Sequence, residues 1–116
     1  MNRIKISVPD ADIEVFANLN DSETSQKLWD MLPCESPARL WGDEVYFAIP
    51  LSMPSMDGQA EVPGGTIAYW PDGKCFCIFF GQKPYSPVNV LGMIEGDAEE
   101  FRKVAADTTI RLERAE

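Results

Sequence analysis

The 116-residue chain contains no histidine. That absence removes the Ser-His-Asp and Cys-His arrangements of nucleophilic catalysis, because their general base is missing. Cysteine is sparse, at three residues. The N-terminal MNRIKISV alternates polar and apolar residues and lacks a signal-peptide core, so the thiols are expected to be reduced in a cytoplasmic protein. Cys75 and Cys77 stand two residues apart and share one face of a strand. A zinc ion wants about four ligands, which only Cys34 or carboxylates could complete here. Inert core is the preferred reading of these thiols, since cysteine is among the most buried residue types. No apolar run approaches the roughly 20 residues that cross a bilayer. No basic run occurs, and the net charge is −9. Such a surface repels phosphate backbones and anionic lipid, so neither nucleic acid nor membrane is expected as a partner. The acidity reads as a means to solubility. Gly64-Gly65 precedes a strand rather than a helix, so there is no phosphate cradle, and no cofactor is expected.

What the chain does contain is strand. Apolar residues make up 45% of it, enough for one domain over residues 1–116 that buries about 60% or more of its unfolded surface. Residues 3–8, RIKISV, put Ile4, Ile6 and Val8 on one face, and Ile13, Val15 and Ala17 repeat the pattern after a turn at residues 9–12. Asn20, with Glu23 three residues on, marks a helix start, and Pro33 stops a run carrying Leu28, Met31 and Leu32. Residues 38–41 and 44–49 flank a Gly42-Asp43 hairpin, whose adjacent acids read as a solvated tip rather than a catalytic pair. Residues 66–70, TIAYW, lead through Pro71-Asp72-Gly73 into KCFCIFF at residues 74–80, which reads as a strand buried on both faces. Residues 88–94 form a further strand, with Gly92 marking a bulge or a close backbone approach. A short helical segment at residues 98–104 and a strand at 108–112 close the chain. Residues 51–62 lack any period and read as a long loop, with a short strand near 59–62.

Four segments taken together carry a family resemblance: GDEVYFAIP at residues 42–50, GTIAYWPDG at 65–73, CIFFG at 77–81 and SPVNVLGMIEGD at 86–97. In order and spacing they resemble the minimal cyclophilin-like domain family of prokaryotes. The resemblance implies a mainly β fold, a closed eight-stranded cyclophilin-like β-barrel with one or two short helices. It does not by itself imply an activity. True cyclophilins are prolyl isomerases, and aligning their Phe-His-Arg-Val-Ile-Pro segment on Ile49-Pro50 puts Phe47 where their arginine polarises the prolyl amide. Their Gln-Phe-Phe strand falls on Cys75-Phe76-Cys77, so the glutamine is also unmatched.

A set of aromatic residues remains. Alternation turns about half of the rings on the central strands away from the barrel interior, and as a set they exceed what so small a barrel is expected to bury. This points to an aromatic-lined cleft built from Tyr46, Phe47, Tyr69, Trp70, Phe80 and Tyr85, with Ser86 and Asn89 as hydrogen-bonding groups and Met53 and Met56 as an adaptable rim. The loop at residues 51–62 would roof it. The favoured reading is a module that binds a small apolar ligand or a short proline-containing peptide. The alternatives are a weak peptidyl-prolyl isomerase, an enzyme acting on a small molecule through carboxylates such as Glu44 or Glu61, and an interaction surface that includes self-association. A carboxylate with a raised pKa inside the cleft would favour the enzyme.

Overall fold

The structure is a computed structural model that describes residues 2–56, 58–81 and 87–115. The described residues form nine strands in one antiparallel sheet: β1 (Arg3–Val8), β2 (Ile13–Leu19), β3 (Cys34–Pro37), β4 (Arg39–Leu40), β5 (Glu44–Ala48), β6 (Thr66–Trp70), β7 (Cys75–Phe79), β8 (Asn89–Ile94) and β9 (Thr109–Arg114). One α-helix, α1 (Glu23–Met31), and two 3-10 segments, Pro9–Ala11 and Ala98–Lys103, complete it. The strand order is β3-β9-β1-β2-β8-β6-β7-β5-β4. Its two outer members, β3 and β4, are consecutive in sequence and separated only by Ala38. The sheet therefore curls until its ends meet, giving a nearly closed barrel. Eight strands become nine because the extended segment 34–40 divides at Ala38, whose N–H donates to Thr108 O at 2.8 Å and whose carbonyl accepts from Asp107. β3, with its sequence CESP, has no period that would announce it.

Period-2 alternation fills the interior. Ile4, Ile6 and Val8 of β1 meet Val15 and Ala17 of β2, Ile110 and Leu112 of β9, and Phe47, Ile67, Tyr69, Phe76 and Ile78 from the opposite wall. The α1 cap differs in detail from the sequence expectation. Ser22, not Asn20, is the N-cap and accepts from Ser25 N–H at 3.2 Å. Asn20 serves one step earlier: its Oδ1 takes the Ser22 and Ser25 hydroxyls, each at 2.6 Å, and its amide donates to Val90 O. This ties the helix start to β8, and Leu28 enters the core.

The loop after β5 is pinned down by two buried side chains. Tyr69 donates its hydroxyl to Leu51 O at 2.6 Å and accepts from Met53 N–H at 3.2 Å. Asn89 accepts from Met56 N–H at 2.8 Å and donates to Pro54 O and to Thr24 Oγ on α1. Near residue 59 the expected short strand is a single bridge, Gln59 with Val88. Among the described residues no helix is long and apolar enough to cross a membrane.

Candidate functional site

β5, β7 and β6 lie side by side, so their outward residues form one continuous surface. Tyr46 registers with Cys77, Cys77 with Ala68, and Cys75 with Trp70. Ala68, Cys75, Cys77, Phe79 and Val88 make a second buried cluster outside the barrel, and Tyr46, Trp70 and Val62 pack on it half-buried. β7 is thus covered on both faces, and all five of its residues are buried. Tyr46 and Trp70 reach across β7 and meet edge to face, with centroids 6.2 Å apart and planes at 86°. That geometry sets a positive ring edge against a negative ring face.

The turn before β7 exists partly for Trp70. A Cβ on Gly73 would overlap the six-membered ring of Trp70, so glycine lets the indole fold back over the turn. The left-handed residue there is Lys74, with φ 54°, and not Gly73.

Glu44 opens β5 on this same outward face. It is only 6% exposed, contrary to the expectation of a solvated hairpin tip. Asp43 does lie at the tip, and Arg102 pairs with it at 2.6 Å and with Glu99. The Glu44 carboxyl lies on the outward face beside the Cys77 thiol, whose S–H points to Cys75 O at 3.9 Å. Burial raises the carboxyl to about 7, and the thiol contact offsets only part of that rise. The same burial, with the Glu44 charge beside it, pushes the Cys77 thiol well up. Two residues on β4 and its hairpin flank the group. Arg39 registers with Tyr46, and its charge reaches the Cys75 thiol, where it offsets part of the upward push of burial. Trp41, 44% exposed, donates its N–H to Glu44 O at 3.1 Å. Opposed residues in a hairpin share a face, so Arg39, Trp41, Glu44, Tyr46 and Trp70 border one shelf floored by the two thiols.

The expected site residues divide accordingly. Tyr46 and Trp70 stand on the shelf. Phe47 is fully buried inside the barrel, 5.2 Å from Phe76 between centroids. Phe80 faces inward as well, with the Arg102 guanidinium 4.9 Å above its ring. Tyr69 and Asn89 are the two pegs of the loop. Tyr85 and Ser86 lie outside the described residues. The barrel and its outer cover bury more of the rings than expected, leaving few for a cleft. The sequence reading named Glu44 as one possible carboxylate but did not place it beside Tyr46, although the alternation Glu44-Val45-Tyr46-Phe47 puts the two on one face.

A family model described as cyclophilin-like matches residues 2–113. The chain belongs to the cyclophilin-like family. Among solved structures, this cyclophilin-like chain is similar to the hypothetical protein AF2241 from Archaeoglobus fulgidus, at 32% identity and a TM-score of 0.84, over 98% of this chain and 95% of that one. It is also similar to McbB, solved in complex with tryptophan, at 18% identity and a TM-score of 0.78. The match covers 96% of this chain and 44% of McbB, and shows a shared fold. No curated protein matches the sequence.

Two further features of this cyclophilin-like barrel bear on chemistry. No group of three or more metal-ligating side chains occurs among the described residues. A depression of about 130 Å³ bordered by Leu40, Gly42, Phe80, Phe101, Arg102 and Val104 is smaller than the roughly 300 Å³ at which ligand pockets begin. The thiols make a testable statement about burial. Cys75 and Cys77 are 5% and 1% exposed, and burial raises both. Cys34 is less enclosed, and burial raises it to about 11. Native protein is expected to leave Cys75 and Cys77 unlabelled by a thiol reagent over hours at pH 8, while unfolded chain labels at all three. Mass mapping that finds rapid native labelling at Cys77 would contradict the closed outer cluster.

Proposed function

We propose that this cyclophilin-like barrel binds a small, largely apolar molecule on the outward shelf of β5, β7 and β6, held by Tyr46 and Trp70. The observation that carries this reading is the half-buried Tyr46–Trp70 pair standing directly over a second hydrophobic cluster. Paired rings on an apolar floor offer area to a flat ligand at little entropic cost, because each ring has few rotamers to lose. A short proline-containing peptide is the other occupant the shelf could take. Prolyl isomerisation draws no support from the geometry, since the position of the cyclophilin arginine is held by Phe47, a core ring with no donor.

Trp70→Ala is expected to weaken binding of indole, a small aromatic probe, at least tenfold in an isothermal titration. The thermal midpoint should move by only a few degrees, because the ring is half-buried and rests on a surface turn. A large loss of stability with unchanged affinity would place Trp70 in the structural core and the ligand elsewhere.

A second reading, that the shelf also performs acid–base chemistry, is favoured by Glu44. A carboxyl that titrates at about 7 can take up and return a proton in neutral water, which an ordinary glutamate does poorly. Glu44→Gln separates the two readings once a reaction is found. A binding module keeps its affinity for an uncharged ring such as indole, whereas an enzyme loses turnover by about 100-fold or more.

A further inference from the structure

Glu44 is buried at the head of β5 on the face that carries Tyr46, and among the described residues the polar side chain that bears on its carboxyl is the Cys77 thiol. A thiol is a weak donor, so the ionised carboxylate is poorly served by its surroundings. An ammonium group entering the shelf would supply the strong, charged donor that Cys77 cannot. Around it stand aromatic groups, Tyr46, Trp70 and Trp41, whose faces attract cations. Arg39 lies opposite Tyr46, two residues along from the Trp41–Glu44 pair, which is about 7 Å of strand. Its guanidinium bears on Cys75 from the same side and is able to reach an anionic group at the rim. The overall charge of −9 favours approach of a cation over an anion.

The geometry points to an aromatic amino acid, or a close relative carrying both an amine and a carboxylate, as the ligand of this shelf. The amine binds Glu44, the carboxylate binds Arg39, and the ring lies against Tyr46 and Trp70. This deepens the reading of the shelf as a small-molecule site and rests on it.

Four probes share one ring and differ in their charged ends: indole, indole-3-propionate, tryptamine and tryptophan. Calorimetric titration of the whole chain is expected to rank tryptophan tightest and indole weakest, with at least a tenfold span. Glu44→Gln should remove most of the advantage of tryptamine over indole and leave indole unchanged. Arg39→Met, at an exposed position, should remove the advantage of indole-3-propionate and keep the fold intact if Glu44→Gln does not. Equal affinity for all four probes in the parent overturns this inference while leaving an aromatic shelf in place. Binding of none of them overturns the shelf itself.

Discussion

Gly92→Ala is expected to cost about 3 kcal/mol or more and to lower the thermal midpoint by about 10 °C or more. Gly92 sits where three strands meet, registering with Leu19 of β2 and Ile67 of β6. Its φ is 155°, and a Cβ there would overlap the Asn18 carbonyl oxygen and crowd Leu19 Cα. Those are backbone atoms of a paired strand, so relief requires parting β2 from β8. The irregular register of β6 against β8 falls at the same place, which leaves the wall without slack. Gly96 provides the control. Its φ is 90°, but nothing lies within 4 Å of a Cβ built there. Gly96→Ala should therefore cost only the local backbone strain, about 1 kcal/mol. Equal melting of the two variants would show that the close approach of β8 to β2 is wrong.

Glu44→Gln is expected to change the shape of stability against pH. Burial raises the native carboxyl from its ordinary value of 4.5 to about 7, so between these values the folded chain holds a proton that the unfolded chain has released. Stability from this group is therefore present below about pH 4.5, falls as pH rises toward 7, and is gone above it. The span corresponds to about 2 kcal/mol once water at the rim of the site is allowed for. Glutamine is neutral throughout, so the variant should match the parent near pH 4 and exceed its stability near pH 8 by about 2 kcal/mol. Glu95 and Glu113 shift the other way, held down by hydrogen bonds from Arg3 and Lys5. Both proteins carry them, so the difference curve isolates Glu44. Denaturant titrations at four pH values measure it, and parallel curves for parent and variant would mean that Glu44 is solvated.

Much of the barrel could be read from the residues, because its strands obey a period of two. The strand expected at residues 3–8 coincides with β1, that at 66–70 coincides with β6, and KCFCIFF contains a strand that is covered on both faces, as its unbroken apolar run implies. Gly92 was legible as a bulge or a close approach and is both. The misreadings share a cause: each concerns a group whose surroundings are distant in sequence. Glu44 follows an acid in a two-residue turn, which reads as solvent. Its burial comes from β7, some thirty residues later. Tyr69 read as a surplus ring and Asn89 as a hydrogen-bonding group for a cleft; their polar ends are taken up by main-chain groups of residues 51–56, in a loop with no pattern of its own, and, for Asn89, by Thr24 as well. Gly73 was legible as part of a turn, but not the Trp70 ring, which occupies the space a Cβ there would need. The outer shelf was legible in part, through Tyr46 and Trp70, but its floor of thiols and its carboxyl required the register of β5 on β7.

The shelf is the central claim, and a two-dimensional amide-shift titration with indole tests it most directly. Saturable shifts at Glu44, Tyr46, Ala68, Trp70, Cys75 and Cys77 are the expected result, with interior residues such as Ile6 and Leu112 unmoved. Saturable shifts confined to Leu40, Phe101 and Val104, or none on the face of β5, β7 and β6, would contradict it.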